Sequence, residues 1–455
     1  MERELCHFSH SVKPPYRGSL FFIIIFLFVE EKERNKRLDS RRRMAMALTT
    51  NLLANAILLL FLATASCEAK GMRLRRAIRP GPRLGHKRNP NEKVFNVLQF
   101  GAKHDPRKDN ALAFIQAWKA TCNWEGNARL VVPGGEFLAS SMVFQGPCKN
   151  PAPIVQIIGT IKAASDLSNY AEDFWISFEK VNGLIVTGTG TVDGQGQNVW
   201  KYNDGGGSIF PANIKLLHVS NGIIRQINSV NPMGFHIGIV LSQNIRARRL
   251  HLNAPESSPN TDGFHISQSN QVKIAKSVIA TGDDCVGMIH GSTDISIKKV
   301  TCGPGHGISI GSLGKYPDEK DVRGILVTNC TLKNTDNGIR IKTWGGSPPS
   351  VATSLTFQDI IMDNVRHPII IDQSYGSKSA PSRVKISDVK YMNIRGTTNS
   401  EVGVDIQCSK QVPCEGVRLS NINLKYIGGK KLPFSSSCLN ARVSYAGMQF
   451  PPPCR

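Results

Sequence analysis

Short alternations of apolar and polar residues recur along most of the chain. From Leu130 to about Ile427, runs of three to six residues alternate in this way and are interrupted by glycine, asparagine, serine or proline. A period of two is typical of strands with one buried face. Repetition of a unit of roughly 20 to 30 residues indicates stacked coils. The sequence therefore predicts an all-β fold, a parallel β-helix over residues 94–455 that forms a solenoid of about ten coils.

One segment has the period of a helix instead. The apolar residues Phe114, Ile115 and Trp118 lie on one helical face, which predicts a helix over Asn110–Cys122. The first coil of a stack has an unpaired edge that soluble proteins cover. We therefore expect this short helix to cap the N-terminal end of the solenoid, after a first strand predicted over Val94–Gly101.

The first 69 residues have the pattern of a targeting region. Two apolar runs, Leu20–Val29 and Leu52–Ala65, are each shorter than the roughly 20 residues that span a bilayer. Arg41–Arg43, the second apolar run and the small residues after it follow the order of a secretory signal. We expect residues 1–69 to comprise an upstream extension and this signal, with secretion from the cell and no stable membrane insertion.

The chain is strongly basic, with a formal net charge of +22. Residues 70–93 contain nine basic side chains and one acidic side chain, and a segment so charged and poor in apolar residues is predicted to be disordered. The overall charge fits nucleic acid, an anionic membrane surface or an acidic polymer as partner. Secretion and the absence of a recognition helix or aromatic platform in the sequence argue against nucleic acid.

Cysteine usage fits an oxidising compartment. None of the spacings has the short paired form of a zinc site, so the sequence predicts no structural metal. Cys330 is left without a near neighbour and lies within a glycosylation sequon that begins at Asn329. The remaining cysteines after residue 69 predict four local disulfides, namely Cys122–Cys148, Cys285–Cys302, Cys408–Cys414 and Cys438–Cys454.

Polar clusters precede several of the predicted strands at a regular interval. Asp262, Asp284 and His306 follow one another at steps of 22 residues, and Asp283 is adjacent to the second. Neighbouring coils lie about 4.8 Å apart, so equivalent positions form a ladder on one face. Asparagine and aspartate also fill solenoid corners as turn residues, which is the alternative interpretation for any one of them.

The whole set favours chemistry over a structural ladder. Crowded carboxylates repel one another, and this tends to raise the pKa of one of them towards neutrality. An acid beside a base is the arrangement that glycoside hydrolysis requires. On the next coil Ile339 and Ile341 take the inward positions, which directs Arg340 and Lys342 outward into the same groove. Spacing alone leaves open which aspartate has which role, and whether hydrolysis inverts or retains configuration.

The motifs resemble the four signature motifs of plant polygalacturonases, in order and with their cysteines. The resemblance spans about Val94 to Cys454, and the runs Gly188–Gly196 and Gly314–Pro317 are similar to the exo-acting, pollen-type branch. It implies a right-handed parallel β-helix that hydrolyses α-1,4-linked polygalacturonate with inversion in the cell wall, as a monomer and without a cofactor. The signature motifs in this chain are Ser258–Gly263, Gly282–Cys285, Cys302–Gly314 and Arg340–Trp344.

The resemblance also implies roles for single residues. Asp283 would be the general acid that protonates the glycosidic oxygen, and His306 would tune it. Asp262 and Asp284 would hold and deprotonate the attacking water.

Four further residues would contact the substrate or position the acids. Arg340 and Lys342 would bind galacturonate carboxylates, for which the fork of an arginine is suited. Tyr375 resembles the substrate-contacting tyrosine of the family, and Asn260 would position the neighbouring acids.

Two stretches depart from the family pattern. Val286-Gly287-Met288-Ile289 stands where Ile-Ser-Ile-Gly is usual, and we expect looser support beneath the acids there. After Tyr375, Gly376 and Ser377 replace the start of a cysteine-bridged loop. These departures keep a non-catalytic pectin-binding wall protein as one alternative. A calcium-dependent pectate lyase, which also uses a β-helix, is the other.

Overall fold

The computed structural model describes residues 91–203, 210–376, 380–429 and 433–454. The predicted targeting region 1–69 lies outside the described residues, as does most of the basic segment 70–93. Within the described ranges, no helix is long and apolar enough to cross a membrane. The described residues all belong to one compact unit, 88–455.

Strands dominate the described chain. Four short 3₁₀ helices occur in its first part, at Val97–Phe100, Leu167–Asn169, Gly196–Asn198 and Trp200–Tyr202. The α-helix of that part, α1, spans Ala111–Asn123. The first fifteen strands are β1 Lys93–Asn96, β2 Ala128–Val132, β3 Glu136–Ala139, β4 Met142–Gln145, β5 Ile154–Ile157, β6 Thr160–Ala163, β7 Phe174–Glu179, β8 Ile185–Gly188, β9 Thr191–Asp193, β10 Ala212–Leu217, β11 Ile223–Arg225, β12 Asn228–Val230, β13 Ile237–Val240, β14 Gln243–Arg248 and β15 His251–Asn253.

The second part of the chain continues the same pattern with longer strands towards its end. These strands are β16 Phe264–Ser267, β17 Asn270–Ala275, β18 Val278–Ala280, β19 Val286–Met288, β20 Thr293–Lys298, β21 Thr301–Cys302, β22 Ile308–Leu313, β23 Val322–Thr328, β24 Thr331–Lys333, β25 Asn337–Trp344, β26 Ser350–Val365, β27 His367–Tyr375, β28 Val384–Thr398, β29 Val402–Gln407, β30 Cys414–Tyr426, β31 Ser435–Leu439 and β32 Ala441–Phe450.

The strands form two parallel sheets that wind around one core. In the described residues, one sheet has 11 strands, from β4 to β31, and each successive coil adds one strand to it. The other 21 strands form a second sheet on the remaining faces of the coils. All the pairings are parallel and join each coil to the next, as in β13–β16, β16–β19 and β19–β22. The predicted parallel β-helix is confirmed.

The register of the 11-stranded sheet matches the 22-residue step. Phe264 pairs with Val286, Val286 with Ile308, and Ile308 with Ile339. These four side chains point inward and are at most 1% exposed. Each coil therefore buries its apolar ladder on the next, and this stacking stabilises the solenoid.

Helix α1 caps the first coil as predicted. Trp118 is 1% exposed, stacks on Phe144 with ring centroids 5.3 Å apart, and donates from Nε1 to the backbone oxygen of Gln145 at 3.0 Å. The predicted first strand over Val94–Gly101 is too long, because β1 ends at Asn96. The side chain of Asn96 caps the following 3₁₀ turn, which ends at Gly101 with a φ of 92°.

All four predicted disulfides form, and Cys330 is buried as a free thiol. The bridge between Cys285 and Cys302 joins consecutive coils immediately after the Asp283-Asp284 pair. It therefore anchors the turn that presents these two carboxylates.

Candidate active site

One cavity of about 310 Å³ opens on the outer face of the 11-stranded sheet, along β16, β19, β22 and β25 and the turns that precede them. Because the strands are in register, residues separated by a whole coil meet along its wall. All eight predicted site residues line this cavity. Its lining residues are Phe235, Asn260, Asp262, His265, Asp283, Asp284, Ile289, His306, Gly311, Ser312, Arg340, Lys342 and Tyr375.

Asp283 and His306 form a hydrogen-bonded pair. His306 Nδ1 lies 2.8 Å from Asp283 Oδ1, and the backbone N–H of His306 donates to the backbone oxygen of Asp283 at 2.7 Å. Burial works to raise the pKa of Asp283, yet the hydrogen bond and charge of His306, together with the charge of Lys342, leave it below its ordinary value. The same hydrogen bond raises the pKa of His306, against the effect of burial.

Asp284 is held by two donors. Ser309 Oγ donates to Asp284 Oδ1 at 2.6 Å, and Lys342 Nζ donates to Oδ2 at 2.8 Å. Asp284 and Lys342 are only 3% and 7% exposed, so little water competes with this ion pair. Burial works to lower the pKa of Lys342, but the Asp284 carboxylate outweighs it and raises the pKa. The charge of Lys342 is thus directed at an acid of the site.

Of the three carboxyl groups, Asp262 is the one whose ionised form the surroundings destabilise. It is 6% exposed, and its Oδ2 lies 3.4 Å from His265 Nδ1. Burial, reinforced by the charges of Asp283 and Asp284, raises the pKa of Asp262 well above its ordinary value. Burial also lowers the pKa of His265 to about 4, so that its ring is neutral near pH 7.

His265 and Phe235 are site residues that the sequence reasoning missed. Their rings stack with centroids 4.2 Å apart and an interplanar angle of 6°. His265 occupies the outward position that Gly287, Ser309 and Arg340 occupy on the next three coils. That alignment with Arg340 is the signal that could have identified it.

Gly287 makes room for the Asp262 carboxylate. A Cβ added at Gly287 would lie 2.9 Å from Asp262 Oδ2 and 3.7 Å from Asp284 Oδ2. Real Cβ atoms do not approach a neighbour so closely, so a serine here would displace Asp262. The glycine therefore allows the carboxylates to crowd together, which is a tighter arrangement than the looser support that we expected from the sequence.

Arg340 is a cation without an acidic partner in the described ranges. Its guanidinium carbon lies 5.0 Å from the ring centroid of Tyr375, and its Nε is buried without a hydrogen-bond partner in the part of the chain that the structure describes. Tyr375 also packs edge-on against Trp344. Gly376 adopts a φ of 70°, and a Cβ there would clash with the indole of Trp344. Glycine at this position permits the aromatic support of Arg340.

The acids are positioned by a threonine turn. Asn260 is exposed and has a φ of 54°, and its side chain makes no hydrogen bond to an acid among the described residues. Thr261 Oγ1 lies 2.6 Å from Ser258 Oγ and accepts from the backbone N–H of Gly282 at 3.0 Å. These contacts join the turn before Asp262 to the turn before Asp283. Thr261 thus adds a contact between these turns that the sequence did not predict, and the positioning role of Asn260, which lines the cavity, stays a prediction.

Asp283, Asp284 and His306 place possible metal-ligating atoms within 4.8 Å of one another. His306 Nδ1 is engaged with Asp283, and Asp284 is paired with Lys342. Because the ammonium group already neutralises part of this cluster, its donor set suits proton chemistry better than a divalent cation.

Residues 122–447 match the family described as glycosyl hydrolases family 28. An exopolygalacturonase from Arabidopsis thaliana is 44% identical over 423 residues, which are 90% of this chain and 98% of the relative. An exopolygalacturonase from Platanus acerifolia is 43% identical over 367 residues, which are 79% of this chain and 97% of the relative.

The fold has solved counterparts. A hyperthermoactive exopolygalacturonase from Thermotoga maritima has a TM-score of 0.65 at 18% identity, covering 78% of this chain and 90% of that chain. This likeness supports the right-handed parallel β-helix. The family match extends over the cavity and every residue predicted to line it, and the chain therefore belongs to glycosyl hydrolase family 28.

Proposed function

We propose that the chain is a polygalacturonase that hydrolyses the α-1,4-glycosidic bonds of polygalacturonate with inversion, acting from chain ends. One observation carries this proposal: within a single cavity, three carboxylates and a histidine lie beside an arginine that has no acidic partner among the described residues. The two plant relatives with the highest identities above, both exopolygalacturonases, support the choice of substrate and the end-acting mode.

Arg340 supplies the selectivity for an acidic sugar. A buried or half-buried cation without an internal partner is stabilised by an anion from outside, and guanidinium binds a carboxylate through two parallel hydrogen bonds. Its neighbour Lys342 is already paired with Asp284 at 2.8 Å. Arg340 is thus the principal carboxylate-binding group, and the Tyr375 ring beneath it fixes the plane of the guanidinium.

The Asp283–His306 pair supplies the acid. Its raised His306 pKa means that the pair keeps a proton at a pH where a free imidazole loses it. As the glycosidic oxygen gains negative charge in the transition state, the proton of His306 Nδ1 passes to Asp283 and Asp283 gives it to that oxygen, which leaves His306 neutral until solvent reprotonates it. The 2.8 Å contact between the two residues is short enough for this transfer.

Asp284 acts as the base, and Asp262 holds the water. Ser309 and Lys342 fix the Asp284 carboxylate and leave it to accept the proton from water as the nucleophile attacks the anomeric carbon. The raised pKa of Asp262 lets this carboxyl hold a proton to a higher pH than an ordinary aspartate does, and in that form it donates a hydrogen bond within the site. His265 is neutral and orients Asp262 without adding charge.

Sizing the products of a short polygalacturonate digest tests this function. We expect monomeric galacturonate from the earliest times, and far less product from the Asp283→Asn control over the same short digest. A ladder of oligomers would contradict the end-acting mode, and an unsaturated product would identify a lyase. Binding of the polymer without release of reducing ends would favour a non-catalytic wall protein.

We propose further that the protein is secreted to the cell wall, where it works as a monomer, and that residues 1–69 are its targeting region. The order of basic, apolar and small residues before Lys70 supports this, as do four disulfides, which persist in oxidising compartments. N-terminal sequencing of the protein from the medium of expressing plant cells is expected to show cleavage between Ala65 and Ala69. A secreted chain that retains Met1 would contradict the proposal.

A further inference from the structure

A group of exposed basic side chains covers part of the 21-stranded sheet. In β14, β17 and β20, the inward positions are apolar and buried, and most of the outward positions near the strand ends are basic. Arg246 pairs in register with Lys273 on the next coil, and Arg248 pairs through Ala275 with Lys298 two coils away. All four basic side chains are exposed.

The corner after these strands adds a second basic column. Arg249, Lys276 and Lys299 follow the strand ends by one residue, all with φ between 54° and 56°. The backbone N–H of Arg249 donates to the oxygen of Ala275, and that of Lys276 donates to the oxygen of Lys298, so these corners stack coil on coil. The two columns together contain seven exposed cations on three consecutive coils, and we call this group the basic face.

The basic face has no internal compensation in the described part of the chain. None of its seven cations forms an ion pair with a described acid, whereas basic residues elsewhere do, such as Lys162 with Glu136 and Lys385 with Glu415. The acid on these strands, Asp294, stands at the opposite end of β20 and accepts from Asn270. Like charges at successive coils, about 4.8 Å apart, repel one another, so this arrangement favours the binding of an external anion.

The basic face is separate from the cavity. Along the chain, β13 of the 11-stranded sheet is followed by β14 and β15 of the 21-stranded sheet before the chain returns to β16. The carboxylates stand where β16 and β19 begin, whereas the basic face lies on the strands and corners of the other sheet. An anion bound there leaves the cavity free.

We infer that the basic face is a second, non-catalytic binding site for polygalacturonate. The inference rests on the proposed function for its choice of polymer. A ladder with cations at successive coils suits a linear polymer with one carboxylate on each sugar, and binding through several weak ion pairs is reversible and salt-sensitive. Attachment of the polymer to the basic face keeps the effective concentration of chain ends near the cavity high between cleavage events.

The test compares two variants that lose the same charge. In the first, four cations of the basic face become glutamine: Arg246→Gln, Arg248→Gln, Lys273→Gln and Lys298→Gln. In the matched control, four exposed cations without a described ion pair, outside the basic face, become glutamine: Lys119→Gln, Arg395→Gln, Lys410→Gln and Arg418→Gln.

Binding is measured on polygalacturonate-agarose with both variants in an Asp283→Asn background, which slows turnover enough to keep the polymer intact during elution. We expect the basic-face variant to elute at clearly lower salt than the parent, and the control variant to elute close to the parent. Equal elution of the two variants would overturn the inference. Anionic phospholipid vesicles serve as a second probe. If the parent prefers the vesicles and only vesicle binding responds to the four substitutions, the assigned partner is wrong.

Kinetics with Asp283 intact separate this inference from the proposed function. We expect the basic-face variant to raise the apparent KM for long polygalacturonate by about tenfold, with unchanged kcat and unchanged hydrolysis of trigalacturonate. An unchanged KM on the long polymer would contradict the inference. Failure of the parent itself to hydrolyse trigalacturonate would contradict the proposed function, while the column result would still decide the basic face.

Discussion

At the scale of single residues, the site is organised by where its protons reside. Sequence spacing predicts that crowding raises the pKa of one carboxylate, and the resemblance assigns the acid role to Asp283. In the structure, the raised pKa belongs to Asp262, while the pKa of Asp283 is lowered by His306. The acid proton is therefore carried by the Asp283–His306 pair and not by an isolated carboxylic acid.

The pair predicts a coupled loss in Asp283→Asn. We expect kcat to fall by roughly 10²- to 10⁴-fold, the usual contribution of a general acid, with the fold intact. The amide removes the anion that holds the His306 proton, so the pKa of His306, measured by NMR, falls from its raised value towards 6.5 or below. Protonated His306 in this pair stabilises the fold, and the full effect is present at pH values below the ordinary pKa of imidazole. The effect is lost as the pH rises through the raised pKa of His306. An unchanged His306 pKa in the variant would contradict the pairing.

Gly287 predicts that the residue usual in the family impairs this chain. In Gly287→Ser, the new side chain would displace the Asp262 carboxylate, and a displacement of about 1 Å in an active site costs roughly 10²-fold in rate. Gly238→Ser is the matched control, because Gly238 lies on the same outward ladder and a Cβ there meets only Lys215, at 3.7 Å. Full activity of Gly287→Ser would show that the carboxylates have room to adjust.

At the scale of elements, the periodicity of the sequence predicts the repeating strands and the helix, whereas hydrogen bonds of single side chains determine where an element ends. The coil register and the helix over Ala111–Asn123 follow from regular apolar spacing. The end of β1 does not, because Asn96 and Gln99 form a capping box that turns the chain into a 3₁₀ helix. Hydrogen bonds of this kind depend on single side chains, which a window of alternating residues averages out.

Helix α1 predicts a difference between its two faces. Trp118→Ala removes a side chain that is 1% exposed, and we expect it to lower the free energy of unfolding by about 3–5 kcal/mol. Leu112→Ala, on the same helix but 67% exposed, is expected to change it by less than about 0.5 kcal/mol. Urea denaturation of both variants measures the contrast. Equal effects would mean that the helix does not cap the core.

At the scale of the whole molecule, the sequence predicts which residues meet but not how each is used. The β-helix, its four disulfides and the eight predicted residues around one cavity all follow from register, cysteine spacing and motif resemblance. The direction of Lys342 towards Asp284, the stacking of His265 on Phe235 and the contact of Gly287 with Asp262 do not. These features depend on side-chain directions between coils, which register alone leaves undetermined.

The proposed function requires that this cavity hydrolyse polygalacturonate with inversion and without a metal ion. The most direct measurement is proton NMR of the first products released from polygalacturonate in the presence of EDTA. We predict galacturonate that appears first as the β-anomer, from an α-linked polymer, at a rate that the chelator leaves unchanged. Initial release of the α-anomer, an unsaturated sugar, or activity that EDTA abolishes would contradict it.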